Sequence, residues 1–474
     1  MPHIDRILAV PAVGGYYIED LAALQANPMA VSERYTAEPV SEGFRRVRQV
    51  AEAVSVGLVL DSGQVAWGDC VAVAYSGKAG RDPVFRTEAG LESIREHVVP
   101  AFEGRPVTTF RELADELERL VETTEVTRPV APPEPELDEE GQSRRAFLTM
   151  PTRILRDAIG RPERRGPVAT ERVVVQRQLH TAVRYGVSQA LLRAVALTRG
   201  MTPCEVICEE WDLPLPEQPV PIHAQSGGAR RRNADKMIVR RIASLPHALV
   251  DDIPRQLGEN GVELVRYVRW LRGRIRELDG ADYRPTIHLD VHGALGQVSE
   301  QNLGRVLGHL VSLETAARPY RLRVESPVIM ESRAAQIEAM GTLREYVQFR
   351  DMTVQLVADE WANTLEDIQA FADAEAADMI QVKMPDLGSV HNTVEAVLAC
   401  QAGGVSALLG GSCAETDLSA RVSVHIALAT RPEFVMAKPG MGVDEGIMIV
   451  HNEMRRVLAR IQSDRSASGI PAQS

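Results

Sequence analysis

The sequence predicts an α/β protein whose second half is a (β/α)₈ barrel of the TIM type, with a mixed α+β segment ahead of it. Three observations predict this. Short β-branched or apolar runs recur eight times between about Pro219 and Lys438, and helical patterns lie between most of them. The 474 residues also hold a barrel of about 250 residues with a second domain to spare. Strand, turn and helix in alternation mark parallel strands joined by crossover helices, and eight such strands close a barrel.

In chain order, residues 1–215 open with strand-like "RRVRQVAEAVSVGLVLDSG" and continue with helical "GLESIREHVVPAFEG", "FRELADELERLVE" and "LHTAVRYGVSQALLRAVALT". Between about 124 and 172 the runs "TRPVAPPEPELDEEGQSRR" and "IGRPERRGPVATER" are too rich in proline and charge for a packed core, and read as an inserted arm. The barrel, residues 216–461, carries strands at "PVPIHA", "MIVRRIA", "PTIHLDV", "YRLRVE", "TVQLVADE", "MIQVKM", "VSALLGG" and "EFVMAK". The spacer "QSGGARRRNADK" between the first two shows no clear helix, so the barrel is expected to be irregular there. Elsewhere Leu264, Val268, Leu271, Ile275 and Leu278 share one helical face, as do Ile447, Met454, Leu458 and Ile461 after the last strand. Thr364 with Asp367 reads as a capping box. Residues 462–474 read as a disordered tail.

Composition narrows the function. The chain is 45% hydrophobic, 25% charged and only 4% aromatic, so its core is expected to be large and aliphatic. A net charge of −12, with no long basic run beyond "ARRRNADK", argues against nucleic acid or an anionic membrane as partner. The five cysteines are odd in number and dispersed, as in a protein with reduced thiols; Cys204 and Cys208 lie one helical turn apart with nothing near to complete a zinc set. The start "MPHIDRILAVPAVGGYY" is not a leader pattern and no segment approaches a membrane span, so a soluble cytoplasmic protein is expected.

In a parallel barrel the C-terminal strand ends meet at one mouth. Three successive strands end in acids: Asp290 in "IHLDVHG", Glu325 in "RVESP" and Asp359 in "VADEW". The next carries Lys383 in "DMIQVKMPDLG". One such acid is usually a cap or a solvated carboxylate, but three hard oxygen ligands followed by a lysine suit a Mg²⁺ site with a nearby base. Lys383 alone, among Met379, Ile380, Val382 and Met384, would read as a side chain with its stem on apolar surface. His288, Asp290 and His292 alternate onto one strand face, yet the two histidines stand roughly 13 Å apart, too far to share an ion. His288 is therefore expected inside the barrel with a hydrogen-bond partner, and His292 in the following loop. "VMAKPGMGVDEG" follows the last strand, not the first, and reads as a loop at the barrel mouth rather than a dinucleotide site.

These motifs carry a resemblance. "PVPIHAQSG", "LPHALV", "IHLDVHG", "RVESPV", "QLVADEWANTLED", "QVKMPDLG", "GGSCAETD" and "AKPGMGVDEGIMIVHNEM", with "WGDC" and "YSGKAGRDPVF" ahead of them, closely resemble the methylaspartate ammonia-lyase family of the enolase superfamily. The resemblance implies an N-terminal α+β capping domain on a modified barrel and a homodimer. It also implies Mg²⁺ dependence, with a monovalent cation such as K⁺ as a further cofactor. The activity implied is reversible removal of ammonia from (2S,3S)-3-methylaspartate, through an enediolate, to give mesaconate. A related lyase, dehydratase or epimerase reaction, or a carbon–nitrogen lyase preferring another amine or substituted aspartate, is the alternative. A non-catalytic binder is disfavoured by the complete set of acids and bases.

By the same resemblance Asp290, Glu325 and Asp359 are the Mg²⁺ ligands and Lys383 is the base on one face of the substrate. His247 in "LPHAL" is the base on the other face, for the other C3 epimer. Gln225, Gln381, Ser412 and Cys413 hold the substrate carboxylates, Cys413 through its backbone N–H. Ala74 stands where the family has a glutamine near the substrate amino group, Ser412 where threonine is common, and Met436 where a leucine lines the methyl pocket. Lys383 is expected to be neutral when substrate arrives, with burial and a nearby dication both lowering its pKa.

Overall fold

A computed structural model describes residues 2–27, 29–77, 79–129, 170–438 and 442–467. Strands β1 (Ile4–Glu19), β2 (Arg48–Leu60) and β3 (Val65–Cys70) form an antiparallel sheet in that order. β1 occupies the stretch read above only for its lack of a leader. Most of its side chains are exposed or half-buried, so it lacks the apolar alternation that announces a strand. The helix Thr181–Arg199 lies on this sheet and is buried on every side from Ala182 to Leu192. The approach is close enough to need glycine on both partners. A Cβ on Gly186 would overlap the backbone of Cys70, and one on Gly68 would overlap the Gly186 carbonyl.

β4 (Val121–Pro129) and β5 (Thr170–Gln178) pair antiparallel from Val121 with Gln178 to Pro129 with Thr170, and form a compact unit of their own. They take in both flanks of the expected insertion at 124–172; residues 130–169 lie outside the described residues. The helix expected over "FRELADELERLVE" stops at Glu118, and its last two residues belong to β4.

The barrel comprises β6 (Ile222–Ala224), β7 (Ser244–His247), β8 (Thr286–Asp290), β9 (Leu322–Glu325), β10 (Gln355–Ala358), β11 (Met379–Lys383), β12 (Ser406–Gly410) and β13 (Phe434–Ala437). All are parallel, and the ring closes as β6-β7-β8-β9-β10-β11-β12-β13. One strand lies elsewhere than expected. "MIVRRIA" was read as the second strand, but Arg230–Val239 is a helix that buries Ala234, Met237 and Ile238, and β7 begins only at Ser244. The β-branched residues there fit a helical face equally well, and "QSGGARRRNADK" is in part that helix rather than an irregular spacer. The box at Thr364 and Asp367 caps the helix Leu365–Asp373. The final helix, Val443–Ala467, runs into the segment read as a tail, and residues 468–474 lie outside the described residues.

The three-stranded sheet, the helix Thr181–Arg199 and the barrel belong to one compact unit. The core is aliphatic and all five cysteines are free. Among the described residues no helix is long and apolar enough to cross a membrane.

Candidate active site

Each acid sits where strand register puts it. Asp290 and Glu325 pair as the last residues of β8 and β9, and Val357 of β10 pairs with Glu325, which brings Asp359 just past the strand end. Lys383 ends β11 beside Gly410 of β12. Around these ends lies a cleft lined by Asp290, Asp359, Lys383, His247, Gln225, Gln381, Gly411, Ser412, Cys413 and Leu249 from the barrel. Val73, Ala74, Tyr75 and Arg81 complete the lining from the N-terminal part. Glu325 is fully buried beneath it.

The carboxylates are engaged one by one. Gln381 Nε2 donates to Glu325 Oε1 at 2.7 Å, and His288 Nε2 lies 2.7 Å from Glu325 Oε2, so His288 has the buried partner expected of it. His247 Nε2 lies 3.2 Å from Asp290 Oδ2, and the His292 backbone N–H donates to Asp290 Oδ1 at 2.9 Å. Lys383 Nζ is 2.8 Å from both oxygens of Asp359. Burial pushes Glu325 well above the usual carboxylate range, and the neighbouring charges of Asp290 and Asp359 add to it. Burial would raise Asp290 too, but the His247 hydrogen bond holds it below its ordinary value.

Burial alone would lower the pKa of Lys383, but the charges of Asp359, Glu360 and Asp386 together hold the ammonium above its ordinary value in the metal-free site. The side chain does not reach solvent; it is buried and paired with Asp359.

Three residues that sequence reasoning left without a role surround this pair. The Arg81 guanidinium is 1% exposed; Nε donates to Asp386 Oδ2 and Nη1 to Glu360 Oε2, both at 2.7 Å, and Nη2 lies 3.9 Å from Asp359 Oδ1. His292 Nδ1 stands 3.3 Å from the other oxygen of Glu360. Arg81 lies in "YSGKAGRDPVF", Glu360 directly follows Asp359, and Asp386 lies in "KMPDLG". No spacing rule joins residue 81 to residues about 300 positions later, so composition alone could not pair them.

The remaining expected residues divide. Ser412 Oγ donates to the Ala72 carbonyl at 3.2 Å, and Cys413 Sγ contacts the Tyr17 carbonyl at 3.3 Å. Behind that loop Lys438 Nζ donates to the Gly410 carbonyl at 2.9 Å and lies 3.5 Å from Glu415, which accepts from Tyr185. Met436 is fully buried, its sulfur 3.0 Å from Gln225 Nε2, behind the cleft wall rather than on it. Ala74 is on the wall.

The donor set can be tested against a divalent cation. Among the described residues, five buried carboxylates (Asp290, Glu325, Asp359, Glu360 and Asp386) cluster here, and Arg81 and Lys383 are the Arg and Lys side chains paired directly with them. Three of the five come from adjacent strand ends. Hard oxygen donors with unbalanced negative charge fit Mg²⁺. Among the described residues two groups of ligand atoms lie within 4.8 Å of one another, His247 with Asp290 and Glu325, and His223 with His247 and His288; Asp359 is instead held by Lys383.

Comparison with known proteins then decides the family. A family model described as the methylaspartate ammonia-lyase C-terminus matches residues 214–463, and its N-terminal counterpart matches 2–131 and 164–212. The chain belongs to the methylaspartate ammonia-lyase family. It is a carbon–nitrogen lyase by that membership. Methylaspartate ammonia-lyase 2 of Carboxydothermus hydrogenoformans is 42% identical to it, over 98% of this chain and 99% of the relative. Among solved structures, the Citrobacter amalonaticus methylaspartate ammonia lyase containing (2S,3S)-3-methylaspartic acid superposes with a TM-score of 0.82 at 38% identity. That match covers 97% of this chain and all of the other. The Mg complex of β-methylaspartase from Clostridium tetanomorphum gives 0.79 at 38% identity, over 98% and 100%. The N-terminal family match leaves out 132–163, within the segment expected to be inserted.

Proposed function

We propose that this cleft catalyses the reversible elimination of ammonia from (2S,3S)-3-methylaspartate to mesaconate, with Lys383 and His247 as bases on opposite sides of the substrate. One observation carries the reading. β7 and β11 are four strands apart in a ring of eight, so His247 and Lys383 end strands diametrically across the mouth. Two bases facing each other can address the two C3 epimers in turn.

Asp290, Glu325 and Asp359 would hold Mg²⁺, which supplies positive charge to a carboxylate that gains a second negative charge when the neighbouring C–H loses its proton. Lys383 Nζ takes the C3 proton of the (2S,3S) substrate, which passes through an enediolate. The electron pair then forms the C2–C3 double bond as the C2–N bond breaks and ammonia leaves. Gln225, Gln381, Ser412 and the Cys413 N–H orient the two carboxylates. Asp359 is the pivot. Paired with Lys383 it keeps the amine protonated, and as a metal ligand it would leave the amine free to act as a base.

The test is direct. Purified protein with Mg²⁺ and (2S,3S)-3-methylaspartate should produce the ultraviolet absorbance of mesaconate, and chelation should abolish the rise; no absorbance change in the presence of Mg²⁺ would sink the reading.

Ala74 supports a second reading of the same chemistry, in which a substituted amine replaces ammonia. Together with Val73 and Tyr75 it forms the N-terminal wall of the cleft, and its methyl offers no hydrogen bond to a small polar amine. In the addition direction, methylamine is expected to add to mesaconate, and Ala74→Gln should shift the ratio of rates toward ammonia by about tenfold. An unchanged ratio would remove Ala74 from amine selection.

A further inference from the structure

Behind the cleft wall made by Gly411, Ser412 and Cys413 lies a pair of charges that elimination as described leaves unused. The side chains of Lys438, just past β13, and Glu415 are completely shielded from solvent. Lys438 Nζ donates to the Gly410 carbonyl at 2.9 Å and stands 3.5 Å from Glu415 Oε1, while Glu415 Oε2 accepts from the Tyr185 hydroxyl at 3.0 Å. Tyr185 is fully buried in the helix Thr181–Arg199. The backbone of Lys438 is fixed as well, because a Cβ on Gly446, in the first turn of the last helix, would overlap the Lys438 carbonyl. The wall rests directly on the pair: a Cβ on Gly411 would overlap both Lys438 Nζ and Glu415 Oε1.

Gly410 ends β12 beside Lys383, and the chain then turns into the loop. Two consecutive glycines have wide backbone freedom, so Gly410–Gly411 would by itself be the loosest part of the wall. A peptide group is planar, and a hydrogen bond to the Gly410 carbonyl therefore orients the whole Gly410–Gly411 peptide. The bond from Lys438 is charge-assisted and buried, two conditions that strengthen it. Glu415 keeps the ammonium from being a lone buried charge, and Tyr185 keeps Glu415 in place. Further along, Ser412 Oγ donates to the Ala72 carbonyl and the Gly15 N–H to the Ala414 carbonyl. Those contacts hold the loop beyond the glycines, while Lys438 holds the glycines themselves. We infer that Lys438, held by Glu415 and Tyr185, is a positioning residue that fixes the Gly410–Gly411 backbone and so sets where Ser412 and the Cys413 N–H meet a substrate carboxylate. This rests on the reading of Ser412 and Cys413 as residues that hold substrate.

Lys438→Met keeps most of the side-chain volume and removes the donor. Adding Glu415→Gln removes the carboxylate that this change would orphan and leaves an oxygen for Tyr185, so the double variant carries the test if the single one does not fold. In Mg²⁺-replete enzyme both variants should weaken mesaconate binding, read by calorimetry, about tenfold, and raise KM for (2S,3S)-3-methylaspartate by a similar factor with a smaller change in kcat. The Mg²⁺ concentration needed for half-maximal activity should stay the same. Unchanged mesaconate affinity overturns the inference, and so does affinity restored in the double variant, which would trace the loss to the orphaned Glu415. A Mg²⁺ requirement that rises in step with KM overturns it as well, because the damage would then reach beyond the loop. An unmodified chain that binds mesaconate but does not turn over methylaspartate sinks the elimination reading alone, and the affinity comparison still decides the role of Lys438. One that does neither overturns both.

Discussion

Lys383→Ala lowers turnover of (2S,3S)-3-methylaspartate by about 10²-fold or more, the usual loss when a general base is removed. The residue is buried and ends the strand next to the acids, so no bulk base can take its place. The same substitution removes the ion pair that holds Asp359 at 2.8 Å. Asp359 becomes available as a ligand, so the Mg²⁺ concentration needed for half-maximal activity should stay the same or fall. That combination separates loss of a base from damage to a metal site, which would raise the Mg²⁺ requirement. Steady-state kinetics at several Mg²⁺ concentrations checks both halves. Near-normal turnover of the (2S,3S) substrate would show that Lys383 is not its base.

Arg81→Met has its main effect on stability. Methionine fills most of the volume, but it leaves Asp386 and Glu360 buried without the guanidinium that each accepts from at 2.7 Å. Breaking a buried pair by removing one partner costs about 3–5 kcal/mol, because the charge left behind is uncompensated. Burial works against ionised Glu360, and it is chiefly Arg81 that nonetheless keeps its pKa well below the ordinary value. The expected result is a large fall in the urea midpoint of unfolding. Adding Glu360→Gln and Asp386→Asn should recover part of it, since neutral amides tolerate burial better than orphaned carboxylates. A midpoint unchanged in Arg81→Met would mean that water reaches these groups and that the network contributes little.

How much of this was legible beforehand depends on the range over which each signal acts. Asp290, Glu325 and Asp359 were legible because a barrel brings strand ends together, and a strand end can be read from a few neighbouring residues. β11 could be found from "MIQVK" alone. β7 could not be separated from the helix before it, because Met237, Ile238 and Val239 suit both periods and only packing chose between them. The ion pair of Lys383 with Asp359 was not foreseen for another reason. Its apolar neighbours are visible in sequence, but the strength of its bond to Asp359 is a matter of distance. Arg81 and Lys438 were missed because their partners meet them only in the folded chain. The family resemblance supplied His247, whose single histidine in "LPHAL" has no local mark of function.

Residues 412–414, which shape one wall of the cleft, are tied to the opposite end of the chain. Ser412 reaches Ala72, Cys413 reaches Tyr17, and the Gly15 N–H donates to the Ala414 carbonyl. The first two contacts join residues 340 and 396 positions apart. On a ribosome, β1 therefore emerges long before its partner loop exists, and this wall can form only once residue 414 has been made. Barrel strands as early as β6 can thus be present well before the cleft they serve is closed on this side.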